Sequence, residues 1–109
     1  MFKAIKRLVK RFMYHWRTSI TIEENTYEVK SPDVSYKVVT YEDDDITIRK
    51  TWVGGRFAHA YLRTSEEPVT RTEQVRPEVF LDYNREGIPV GVGVMREVDL
   101  AFARRLLTD

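Results

Sequence analysis

Cysteine is absent, which excludes a disulfide framework, a thiolate metal site and a thiol nucleophile in one step. Proline and glycine number only four and five, and no low-complexity tract, repeat or linker divides the chain. Long apolar runs are also missing; none approaches the ~20 residues of a membrane-spanning helix. Neither sign of charge dominates, since 18 basic residues meet 17 acidic ones. What remains is a chain of 109 residues, 42% hydrophobic and 32% charged, which suits one compact domain and excludes wholesale disorder.

The balanced total hides an uneven distribution. Residues 1–17 carry Lys3, Lys6, Arg7, Lys10, Arg11 and Arg17 and no acid, so they hold +6; the other residues set 12 basic against 17 acidic side chains, or −5. Phe2, Ile5, Val9, Phe12 and Trp16 recur at spacings of 3, 4, 3 and 4, which predicts an amphipathic helix over residues 1–17 with the cations opposite. That stripe is the candidate partner-binding surface, with Lys3, Lys6, Arg7, Lys10 and Arg11 as its electrostatic rim. Self-association or another protein is the expected partner. An anionic membrane surface is the next candidate. Nucleic acid comes third, because an arm built only for phosphates has no use for the apolar stripe. Lys6, Arg7, Lys10 and Arg11 interrupt every apolar stretch, and no small-residue cleavage site follows. A secretory signal is therefore not expected; a cytoplasmic chain is, with attachment to a membrane surface as the variant.

From Ile20 the period becomes that of strands. Ile20 and Ile22 alternate with threonines, and Tyr27 with Val29; Ser31-Pro32-Asp33 then turns the chain. Residues 34–41 and 46–53 read as strands around the acidic loop Glu42-Asp43-Asp44-Asp45, with Gly54-Gly55 as the next turn. Residues 57–64 read as a strand with Ala58, Ala60 and Leu62 on one face and Phe57, His59 and Tyr61 on the other. Residues 69–75 pair back beside Pro77, which marks an edge or a bend. Residues 79–83 and 88–95 form a hairpin around Asn84-Arg85-Glu86-Gly87. Asp99 is the expected cap of a short helix over residues 100–107. The fold class is α+β: an antiparallel sheet of six to eight short strands over residues 18–109, with the basic helix before it and a short helix at its end.

Ala58-His59-Ala60-Tyr61-Leu62, Glu73-Gln74-Val75, Leu81-Asp82-Tyr83-Asn84, Gly87 and Val90-Gly91-Val92 together resemble a family of short uncharacterised bacterial and phage domains. Its pattern runs A-x-A-x-[YIL], T-x-x-V, then L-D-[YF]-[DN]-x-x-G-x-[VP]-V-G-[IV]-E-[IVL]-L. The resemblance spans residues 46–95; Gly93 stands where the family has Glu, and residues 1–45 have no counterpart. It implies a β fold and, because some members sit beside small toxin-like genes, a partner-binding role. The same residues read physically as structure. Asn84 and Gly87 tolerate positive φ in a tight turn, Asp82 is expected to brace that turn, and Gly91 with Gly93 lets a ring or a helix approach the strand.

Candidate chemistry is thin. Glu42-Asp43-Asp44-Asp45 lacks the spaced ligands of a calcium loop and reads as a solvated hairpin. His15 and His59 are the only histidines, and Ser19, Ser31, Ser35 and Ser65 lie outside any nucleophile-elbow motif. The glycines form no phosphate loop. No catalytic, cofactor or metal residue is assigned. The expected function is a non-enzymatic protein-interaction or assembly module that uses the N-terminal helix and an edge or face of the sheet. The alternatives are a peripheral membrane protein and a nucleic-acid-binding accessory protein.

Overall fold

Short alternating runs of β-branched and aromatic residues become strands wherever a neighbouring backbone can pair with them. The computed structural model describes residues 10–15, 18–22 and 25–108. Its strands are β1 (Lys10–His15), β2 (Thr18–Ile22), β3 (Thr26–Lys30), β4 (Ser35–Asp43), β5 (Ile46–Val53), β6 (Arg56–Arg63), β7 (Arg71–Arg76), β8 (Val79–Tyr83) and β9 (Pro89–Val94). A 3₁₀ turn over Glu97–Asp99 leads into helix α1 (Leu100–Thr108). Strands β2–β9 make one antiparallel sheet and β1 extends it at one edge, in the order β1-β2-β3-β4-β5-β6-β9-β8-β7. The first six strands form a meander. Strand β9 then inserts between β6 and β8, which leaves β7 on the far edge.

The helix expected over residues 1–17 is not shown. Lys10–His15 is instead a strand, with Lys10 opposite Ile22 and Phe12 opposite Ile20 on β2. Residues 1–9, 16 and 17 lie outside the described residues, and with them Phe2, Lys3, Ile5, Lys6, Arg7, Val9 and Trp16. Phe12 and Tyr14 also satisfy a period of two, and β2 offers backbone partners that helix propensity over a short segment does not outweigh. Strands β2–β9 are eight, within the six to eight expected from residue 18 onward, and β1 adds a ninth at the edge.

Two-residue hairpin turns join β4 to β5 and β5 to β6, and such turns want positive φ at both central residues. Gly54 and Gly55 provide it at 61° and 75°; the other turn uses Asp44 and Asp45 at 50° and 64°. Asp is among the few side chains that visit this region. In β6, His59 opposes Thr51 and Phe57 opposes Trp52, so Ala58 is the extra residue of a bulge. The bulge corrects the face assignment by strict alternation: Phe57 packs with Ala60 and Leu62, away from His59 and Tyr61.

The core lies under α1. Cross-strand register aligns Ile48, Leu62, Val92 and Leu81 in one row and Ala60, Val94 and Val79 in the next. All seven are at most 5% exposed. Ala103, fully buried, brings α1 against β6 and β9, with Leu100, Leu106 and Leu107 around it. A helix of nine residues is marginal alone, so this packing is what holds it. Arg104 fastens its outer side to the β4–β5 turn, donating to Asp43 at 2.5 Å and Asp44 at 2.9 Å. Asp99, expected as the helix cap, is buried and accepts from Arg96 at 3.0 and 3.3 Å instead of from the first backbone N–H groups.

Helix α1 covers only β6, β9 and their neighbours. The radius of gyration, 16.4 Å, exceeds the ~13 Å of a compact chain of this size, and the extents are 48 × 40 × 25 Å. The sheet is spread out rather than closed.

Candidate functional site

Successive side chains of a strand point to opposite faces, and residues paired across strands share one. The face opposite α1 therefore carries two apolar rows in the wing β2–β5. One runs Ile20, Val29, Tyr36 and Val53; the other runs Ile22, Tyr27, Val38 and Thr51. Tyr27, Tyr36 and Val53 are 38%, 36% and 47% exposed, although seven of these eight residues are aliphatic or aromatic. The Tyr27 and Tyr36 rings meet edge to face, centroids 6.3 Å apart. On the helix side of the same wing the pattern inverts on β2 and β3 to Ser19, Thr21, Thr26, Glu28 and Lys30, with Glu28 and Lys30 paired at 3.7 Å, while β4 and β5 mix Lys37 and Lys50 with Val39, Tyr41 and Trp52. The apolar side of β2 and β3 is thus the face opposite α1. Near α1 the apolar side is covered; in the wing Tyr27, Tyr36 and Val53 are exposed while Thr51 is buried.

The polar half of the open face is built around Gly91. Tyr61 on β6 pairs with Gly93, and its ring leans over Gly91 to reach β8, where its hydroxyl donates to Asp82 at 2.5 Å. Thr72 on the edge strand donates to the other carboxylate oxygen at 2.6 Å. Three strands are thereby tied across a glycine floor. Burial, then the hydrogen bond and the charge of Asp82, push the Tyr61 phenol up to about 12. An unfolded tyrosine titrates near ~10, so the folded state holds this proton more tightly. Its contribution to stability is whole below pH ~10 and is lost as pH rises through ~12. In denaturant titrations across that window, wild type is expected to weaken more steeply than Tyr61→Phe. Parallel curves for the two chains would show that the phenol is not held in this way.

Two hollows lie elsewhere on the described surface. One, about 200 Å³, lies between α1 and β4–β6 with Ile48 and Leu62 at its base and Lys50, Asp43 and Arg104 at its rim. Arg104 is already committed to the two aspartates, and Lys50 stacks over the Tyr41 ring at 5.4 Å. The other, about 250 Å³, lies beside the β8–β9 turn. There Asn84 accepts from the Glu86 and Ile88 backbone N–H groups at 3.0 and 2.9 Å and donates to Glu67. Among the described residues no group of three or more His, Asp or Glu side chains is placed to hold a metal ion.

The residues singled out from sequence are distributed as follows. Phe12, Lys10 and Arg11 lie on β1, beside the open wing in backbone register. The remaining candidates of the N-terminal stripe and rim fall outside the described residues. Asn84 and Gly87 form the β8–β9 turn, with Gly87 at φ 78°. Asp82 does not brace that turn; its carboxylate takes Tyr61 and Thr72, and Asn84 does the bracing. Gly91 sits under the Tyr61 ring. The wing residues Ile20, Ile22, Tyr27, Val29, Tyr36, Val38 and Val53 were not singled out. Their signal is a shared face, visible only once four strands are placed in register.

Residues 59–97 match the model of a family described as a protein of unknown function (DUF2283). The match is narrower than the resemblance over residues 46–95 and covers β6 from His59 through β9 into the 3₁₀ turn. The wing β1–β5 lies outside it. No curated protein and no solved structure shows significant similarity to the chain.

Proposed function

We propose that the chain is a non-enzymatic interaction module, a part for assembly, whose contact surface is the open apolar face of β2–β5. One observation carries the reading: two apolar cross-strand rows lie on the face that α1 leaves bare, with Tyr27, Tyr36 and Val53 each more than a third exposed. A contiguous apolar patch of this kind marks a contact site. The hydrogen-bonded groups elsewhere are used up in holding the sheet together, as in Tyr61, Asp82 and Thr72. A sheet face is one of the two surfaces expected from sequence; most residues of the other, the N-terminal stripe, lie outside the described residues.

A photo-reactive phenylalanine analogue at position 36, with Arg85 on the remote β8–β9 turn as the control position, tests this in the cell that makes the protein. The expected result is a discrete cross-linked protein adduct from position 36 and none from position 85. No adduct at 36, or equal labelling at both, removes the reading.

A further inference from the structure

We infer that the partner of this face is a protein surface with an apolar centre and carboxylates along one side, which meet Arg49 and Arg56. The inference rests on the interaction reading above and names the chemistry of its partner.

Charge is the first observation. Register places Arg56 opposite Val53 and Arg49 opposite Thr40, on the face that carries the apolar rows. Both side chains are exposed, and among the described residues neither meets a carboxylate. On β1, Lys10 stands opposite Ile22 at the other border of the patch. Arg63 is on the same face, but its guanidinium is taken by the backbone oxygens of Ser65 and Glu67. Against these cations the same face of β2–β6 holds one acid, Glu42. A partner that is acidic where this face is basic is drawn to it, and a basic one is turned away.

Size is the second observation. β2 and β3 are strands of five residues, so the apolar rows alone fall short of the ~800 Å² that each side of a specific interface buries. The cations on β5 and β6 widen the contact and contribute what burial does not, in a complex that forms fast and is screened by salt.

Shape and chemistry separate an acidic protein from other anions. Neighbouring strands turn by ~20–25°, so β2 and β6 stand ~80–100° apart and their shared face is a saddle. A protein can follow a saddle, whereas a bilayer lies along only part of it. Nucleic acid stacks its bases on rings. Here Ile20, Ile22, Val29, Val38 and Val53 outnumber Tyr27 and Tyr36.

The cross-link from position 36 is repeated in chains carrying Arg49→Glu, Arg56→Glu or, on the remote turn, Arg85→Glu, with circular dichroism to confirm that each is folded. The expected result is an adduct with a different protein, reduced about tenfold by Arg49→Glu and by Arg56→Glu and unchanged by Arg85→Glu. In a further chain, Arg56→Lys keeps the charge and supplies an amine, so this arm depends on no charge reversal. Carbodiimide, which joins an amine to a carboxylate in contact with it, is applied to the isolated adduct. Peptide mapping is expected to find position 56 bound to an Asp or Glu of the partner. An adduct as strong in the Arg49→Glu and Arg56→Glu chains as in wild type overturns the inference. So does a partner with no carboxylate joined to position 56, or an adduct of twice the chain's own mass. Those three results leave the interaction reading standing, since position 36 still contacts a protein. An adduct that carries nucleotide or lipid instead of protein, or no adduct in any chain, removes both.

Discussion

Gly91→Ala is expected to cost about 3 kcal/mol of stability, the sum of an overpacking term and a disrupted charge-assisted hydrogen bond. A β-carbon built at Gly91 lies 2.6 Å from Tyr61 Cζ, within the ring's own volume. The Gly91 backbone is not in the left-handed region, so alanine itself fits the strand and the whole effect is the collision. The ring must swing out, and Asp82 then keeps only Thr72. For a domain of this size the loss corresponds to a fall in Tm of roughly 12–20 °C. A double-mutant cycle isolates the cause: in a Tyr61→Ala background, Gly91→Ala should cost less than ~1 kcal/mol. Gly93→Ala is the built-in control, since its nearest contact would be Tyr61 Cδ1 at an ordinary 3.8 Å. If Gly91→Ala and Gly93→Ala melt alike, the ring does not lie where the structure places it.

Leu62→Ala is expected to cost about 3 to 4 kcal/mol and to remove α1 with it. Leu62 is 1% exposed and stands between Ile48 and Val92 in the row beneath the helix. Its truncation leaves a cavity that rigid strands on both sides cannot close. Because α1 depends on this packing, its far-ultraviolet signal should be lost in the same transition as the sheet. Val98→Ala, at a site 80% exposed, should change stability by less than ~0.5 kcal/mol. Chemical denaturation of the three chains decides the matter. A Leu62→Ala chain within 1 kcal/mol of wild type would falsify the idea that this row is the core.

The strands were largely legible because turn residues bracket them. Ile46–Val53 and Val79–Tyr83 lie where alternation and flanking Asp, Gly or Asn place them, and Pro77 foretold that β7 is an edge. The start of the chain was not legible. Phe12, Tyr14 and Trp16 fit a period of two while Phe12 and Trp16 fit a helix, and only the pairing with β2 separates the readings over residues 10–15. The bulge at Ala58 was hidden because Ala58 and Ala60 look equivalent in an alternating run. At the candidate surface, each wing strand was readable but the surface was not. Ile20, Val29, Tyr36 and Val53 come from four strands, and no local pattern says that they stand in line. The same holds for Gly91: its smallness implied a close approach, while the identity of the ring required the register of β6 on β9.

The strand order also sets how the chain gets to this structure. Seven of the eight neighbouring strand pairs join strands consecutive in sequence; only β6 with β9 does not. Each consecutive pair closes a short loop, and small loops close quickly. The β6–β9 pairing must wait for the β7–β8–β9 hairpins to bring Val92 and Val94 back to Leu62 and Ala60. Those four side chains are also the centre of the core. The slow step of folding and the burial of the core are therefore one event. Changes at Leu62 or Val92 should slow folding, whereas changes at the outer hairpin β2–β3 should mainly quicken unfolding.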